Sequence, residues 1–151
     1  MSAITLPPSF PIVGLPVVGA FLLNAYQQTL VMRLRKEAGV AYPAAYATEA
    51  DAAKDFKKMK FNCAQRAHYN TLENIPYVLA LFAFLSIFYP KIASVSMSVW
   101  ILGRFIYTIG YATGDPKRRI GPTYFTSYLG LITMVIGSGF VAVSKTYQNY
   151  K

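Results

Sequence analysis

The chain has 151 residues, 54% of them hydrophobic and only 14% charged, with a mean hydropathy of +0.34. A soluble domain carries about 25% charged residues, so the deficit excludes disorder and argues against an ordinary water-facing surface. One cysteine, Cys63, excludes a disulfide framework and a thiolate zinc site; one histidine, His68, excludes a histidine-rich metal site. The net charge of +9 could point to nucleic acid. Nucleic-acid binders, however, need their basic residues on a solvated face, and here long segments carry no charge at all.

Four such segments can be followed along the chain. Met1 to Met32 is uncharged, as are Asn74 to Pro90 and Ile120 to Ser144; Ile92 to Gly114 is interrupted only by Arg104. A membrane helix needs about 20 mostly apolar residues. The second segment reaches that length only if its helix begins earlier, so that Arg66, Asn70 and Glu73 lie inside it. The alternative is a soluble helical bundle, whose helices would alternate polar and apolar faces with a 3.6-residue period. Tyr77 to Tyr89 and Leu129 to Val143 are apolar on every face. The sequence therefore predicts an all-α, membrane-embedded four-helix bundle spanning 1–151 as one domain. Its helices are expected at about 10–34, 64–88, 92–112 and 122–144. No Lys or Arg precedes Arg33, so a cleavable signal peptide is not expected.

Pro122 suits a first helical turn, whereas Pro16 and Pro76 are expected to kink the first and second spans. Arg35 to Phe61 is expected to be a long polar connection, Tyr89-Pro90-Lys91 a tight turn, and Gly114 to Gly121 a short basic loop. The first and third connections, with their helix ends, hold Arg33, Arg35, Lys36, Lys54, Lys57, Lys58, Lys60, Arg66, Lys117, Arg118 and Arg119. The other side holds Lys91, Lys145 and Lys151. The positive-inside rule places the first side in the cytosol.

Ionisable groups inside a membrane helix are costly and are functional candidates by default. Arg66, Asn70 and Glu73 stand at i, i+4 and i+7 and form one stripe on the second span. An Arg66–Glu73 ion pair capped by Asn70 that only fixes helix packing is the alternative reading of that spacing. Arg104, Tyr107 and Tyr111 share a face of the third span. For the tyrosines alone an interfacial aromatic belt is the plainer reading, but a belt does not require a charge on the same stripe. Cys63 lies outside the stripe and reads as a small core residue. Arg35, Arg66, Arg104, Arg118 and Arg119 gather at one end of the bundle, with Glu73 as the acid. Arginines pair carboxylates bidentately and a glutamate suits an ammonium. A ligand with two carboxylates and one amine, such as glutathione, complements that set.

The segment Phe61 to Pro76, "FNCAQRAHYNTLENIP", resembles the second-helix signature of the MAPEG membrane proteins. These include microsomal glutathione S-transferases, leukotriene-C synthase and the 5-lipoxygenase-activating protein. The signature's core is Arg-x-x-x-Asn-x-x-Glu, here Arg66, Asn70 and Glu73. "FNC-QRAH-NTLE" is most similar to the type-3 microsomal glutathione S-transferases, as are "GYATGDPKRR" (Gly110 to Arg119), "RLRK" (Arg33 to Lys36) and Tyr42-Pro43. The resemblance covers most of the chain. It implies a homotrimer in the endoplasmic reticulum or outer mitochondrial membrane, in the chemical territory of eicosanoid metabolism.

The resemblance also implies glutathione as co-substrate, bound between subunits by Arg35, Arg66, His68, Asn70, Glu73, Arg104, Tyr107 and Tyr111, with no metal. The residue after the glutamate, a tyrosine in some relatives, is Asn74 here. A thiol-activating arginine at the start of the fourth helix corresponds to Arg118 counting from Tyr111, or to Arg119 counting back from Pro122. The second substrate would be a lipophilic electrophile or a lipid hydroperoxide drawn from membrane lipid. The competing reading within the family is a non-enzymatic lipid-binding scaffold. A small transporter would need broken helices or an internal repeat, and neither is evident in the sequence.

Overall fold

A computed structural model describes residues 5–120 and 122–150. The described residues form an all-α bundle with four helices long and apolar enough to cross a membrane. A 3₁₀ turn at Phe10–Val13 runs into α1, Gly14–Ala38. A six-residue helix, α2, covers Glu49–Lys54. The second span is α3, Phe56–Phe88, the third is α4, Pro90–Tyr111, and α5 covers Pro122–Asn149. A second 3₁₀ turn, Pro116–Arg119, precedes α5.

Local chemistry sets these limits. Gly39 ends α1 in the left-handed region at φ 63°, where its own N–H and that of Val40 bond back to Lys36 and Arg35 carbonyls. A side chain there would be strained. The α3 helix begins at Phe56 rather than near Ala64. Asp55 caps it, its carboxylate accepting from the Lys57 N–H at 2.9 Å, so Lys57, Lys58 and Lys60 ride on its first turns instead of a loop. It ends at Phe88 because Pro90 keeps Tyr89 out of the helical region (φ −132°, ψ 66°). Pro90 then opens α4, and Tyr89 alone links the two spans. Pro16 falls in the first turn of α1, where its missing N–H would have no intrahelical partner; the kink expected there has no cause. Pro76 does lie inside α3 and leaves the Leu72 carbonyl without its helical donor.

The central helix is α4, which packs on α1, α3 and α5. Its seam with α5 is backbone on backbone. A Cβ at Gly103 would sit 2.3 Å from the Ser127 nitrogen, and one at Gly130 would sit 2.3 Å from the Ser96 oxygen. Such close approach through small residues is how helices associate in lipid, where burying apolar surface gives little drive. Beside this seam Val78, Phe82, Leu85, Met97, Trp100 and Met134 form the larger core. The outward surface is apolar too: Leu15 is 72% exposed, Phe21 70% and Phe125 69%. That pattern suits a lipid-facing wall.

Candidate functional site

At the end of the bundle where α1 finishes and α3 begins, the core turns polar. Gln27 of α1 is fully buried and donates from one amide nitrogen to Thr71 (2.9 Å) and Thr108 (2.7 Å). Thr71 also accepts from Arg104 Nε (3.2 Å) and Nη2 (3.0 Å), and Arg104 Nη2 donates to Asn70 Oδ1 at 2.8 Å. The Arg104 guanidinium lies 4.4 Å from the centre of the Tyr107 ring. Only 4% of Arg104 is exposed. A buried cation is tolerable only when its protons are met, and here a hydroxyl, an amide oxygen and a ring face meet them.

The chain of contacts continues outward along α3. Asn70 Nδ2 donates to Glu73 Oε2 (3.2 Å), and Arg66 Nη1 donates to Glu73 Oε1 at 2.9 Å. Arg66 and Glu73 are each partly exposed, so this pair faces outward from the single chain. Asn74 donates to the Asn70 carbonyl (2.6 Å) and accepts from the Tyr77 hydroxyl. These contacts follow from helical spacing: positions 66, 70, 73, 74 and 77 repeat every three or four residues on one face.

A polar cavity of about 290 Å³ opens on this face, lined by Arg66, Asn70, Asn74, Tyr107, Arg119, Ile120 and Tyr128. It joins α3, α4, α5 and the 3₁₀ turn. The two neighbouring arginines of that turn part company. Arg119 donates to the Tyr111 hydroxyl at 3.3 Å and sits 5.6 Å from that ring's centre. Arg118 points to solvent with 66% of its side chain exposed, 3.8 Å from Asp115. A 3₁₀ turn advances about 120° per residue, which is enough to put one on the cavity and the other outside it.

Arg66, Asn70, Glu73, Arg104, Tyr107, Tyr111 and Arg119 therefore come together in one chain. Arg35 and His68 do not. Arg35 is stacked between Tyr42 (4.5 Å) and Phe61 (4.7 Å) and donates to the Ala44 (2.6 Å) and Ala45 (3.4 Å) carbonyls. His68 is off the stripe, and its Nε2 is buried without a hydrogen-bond partner among the described residues. Cys63 packs in the apolar cluster with Ala67, Tyr107 and Tyr111. No group of three metal-ligating side chains occurs among the described residues. Gln27, Thr71 and Thr108 also belong to this network and carry no spacing signal of their own. Each is a single polar residue in an apolar run, and only the crossing of three helices makes them partners.

Comparison with known proteins gives the family. An uncharacterised protein of Synechocystis sp. is 33% identical over 109 residues, covering 72% of this chain and 71% of its own length. A sequence model described as "MAPEG family" matches residues 13–140, which take in α1, α3, α4, much of α5 and every residue lining the cavity. With the four apolar helices, the charged stripe on the second span and that match, the chain belongs to the MAPEG family of membrane proteins, whose members include glutathione transferases and peroxidases as well as activating proteins.

Proposed function

We propose that this protein is a glutathione-dependent membrane transferase or peroxidase, of the type-3 microsomal kind, working as a homotrimer. The observation that carries the reading is the charge on this face: guanidinium groups of Arg66 and Arg119 line the cavity, Arg104 lies buried beside it on Asn70, and Glu73 is the carboxylate paired with Arg66. Glutathione with an ionised thiol carries two carboxylates, one ammonium and one thiolate, a net charge opposite to that of the site. Arg66 and Arg104 suit the carboxylates, Glu73 the ammonium.

Arg119 takes the thiol. A free thiol titrates near pH 8.5, so only a few per cent is ionised at neutral pH. A guanidinium beside sulfur lowers that value; two units correspond to about 2.7 kcal/mol, within reach of one charge-assisted hydrogen bond in a partly dry site. The proton leaves to water. The thiolate then forms a carbon–sulfur bond with an electrophile while the leaving group departs with its electron pair. With a hydroperoxide it breaks the O–O bond, giving an alcohol and a sulfenic acid that a second glutathione reduces to the disulfide with release of water. The protein contributes no nucleophile of its own.

Sharing the exposed Arg66–Glu73 pair between subunits supports the trimer, since the pair would then lie in a protein-lined, wet cleft instead of facing lipid. Arg66→Ala and Glu73→Gln should each weaken glutathione binding by tenfold or more in calorimetry on the detergent-solubilised protein. Unchanged affinity with the assembly intact would leave Arg66–Glu73 a packing pair and overturn the reading. Turnover of a chloronitrobenzene or a fatty-acid hydroperoxide separates transferase from peroxidase. Binding without turnover of either would favour the scaffold, for which an apolar groove of about 430 Å³ between α1 and α4, lined by Leu22, Tyr26, Ile101, Leu102 and Phe105, supplies a lipid surface. The endoplasmic reticulum is the membrane this reading favours.

A further inference from the structure

The connection between α1 and α3 is tied down at two adjoining points. Arg35, itself buried between two aromatic rings, grips the Ala44 and Ala45 carbonyls. Asn62 of α3 closes a two-way bond on Ala47: its Oδ1 accepts from the Ala47 N–H at 2.8 Å and its Nδ2 donates to the Ala47 carbonyl at 2.9 Å. Tyr46 lies between these clamps. Beyond them Thr48 caps α2, and Lys58 pairs with Asp51 at 3.3 Å, so the segment is fastened to α3 on its far side too.

The placement has a purpose in register. Asn62 stands one helical turn before Arg66 on the same face of α3. A residue clamped beside Asn62 is thus held about one helical turn from Arg66, which lines the cavity. The Tyr46 phenol lies within electrostatic reach of Arg66, Glu73, Tyr69 and Tyr111. Its hydroxyl makes no hydrogen bond among the described residues, and 38% of the residue is exposed. Burial holds its pKa above the ordinary value of 10.0, more than Arg66 lowers it, so the group is a neutral O–H donor at physiological pH. A polypeptide loop that is free to wander costs entropy to order on binding; this one is ordered in advance.

We infer that Tyr46 is a ligand-binding residue, its hydroxyl donating to a carboxylate of the peptide held by Arg66, and that Arg35 and Asn62 are positioning residues that clamp the loop carrying it. The inference rests on the glutathione reading above. It gives Arg35 a part different from direct contact with ligand, and it assigns Asn62 a part through the backbone it holds.

The test is calorimetry and steady-state kinetics with glutathione on the intact protein in detergent. Tyr46→Phe keeps the ring and removes only the hydroxyl. It should weaken glutathione binding and raise KM about tenfold, with kcat at saturation and thermal stability unchanged, because thiol activation lies elsewhere. Asn62→Ala should give the same rise in KM and also speed proteolysis within residues 40–48, whereas Asn62→Asp, which can accept from Ala47 but not donate, should fall between. A purely structural tyrosine would move stability and leave KM alone. Wild-type affinity in Tyr46→Phe, with Arg66→Ala weakened, overturns this inference and spares the glutathione reading. Wild-type affinity in both overturns the two together.

Discussion

The two halves of the bundle are built on different principles. Around Trp100, Met97 and Leu85 the helices touch through glycine and apolar side chains, with nothing to titrate. Around Gln27, Thr71 and Arg104 they are joined by directed hydrogen bonds, and one of the joined groups is a buried cation. In lipid, apolar burial favours the separated and the packed helices about equally. The apolar half must therefore hold by close fit, and the polar half can be spent on ligand. If so, mutations in the first should cost assembly, and mutations in the second should cost binding.

The sharpest break in that comparison is at the seam. Gly103→Leu would drive a side chain into the Ser127 backbone, which cannot swing aside as a flexible side chain would. We predict a loss of about 3 kcal/mol or failure to accumulate at all, checked by thermal unfolding in detergent followed by circular dichroism. An unchanged melting temperature would mean that α4 and α5 are not tightly seated.

Next come the arginines of the polar half. Arg119→Ala should lower turnover about a hundredfold, the scale of losing one donor to a developing anion. It should also remove the thiolate absorbance near 240 nm and shift the rate profile to higher pH, with glutathione affinity within a few fold. Arg104→Met should lower glutathione affinity about tenfold and cost about 1 to 3 kcal/mol of unfolding stability, the scale of leaving Asn70 Oδ1 without its donor. A larger loss of stability in Arg104→Met would blur the division between halves. The smallest effect belongs to Arg118→Ala, exposed and loosely paired with Asp115: turnover within twofold and relieved by salt. Equal thiol pKa values in Arg119→Ala and wild type would move thiol activation to Tyr107 or Tyr111.

The number of spans and the stripe on the second were legible because both are one-dimensional patterns: uninterrupted apolar length, and a spacing of three and four. The start of α3 was not, since Phe56-Lys57-Lys58-Met59-Lys60 looks like a solvated connection until Asp55 is recognised as its cap. Counting along the chain left Arg118 and Arg119 equivalent. Only the phase of the 3₁₀ turn separates them. Arg35 shows the opposite difficulty. Its charge and the family resemblance marked it as a ligand residue; what could not be read is its aromatic sandwich and two carbonyl partners, in a loop that no periodicity describes. Gln27 could be noticed as polar in an apolar run; its partners on α3 and α4 could not.

The length of α3 has a consequence for where chemistry can happen. At 1.5 Å per residue, its 33 residues reach about 50 Å, against a hydrocarbon layer of about 30 Å. Measured back from Phe88, that layer ends about 20 residues earlier, near His68 and Tyr69. Arg66 then stands among headgroups and Glu73 just beneath them, so the cavity straddles the boundary between two solvents. A reactant dissolved in water and another dissolved in oil would each arrive at this depth without leaving the phase that suits it. Their encounter would need no transport step, only a helix tall enough to hold the meeting place at the waterline.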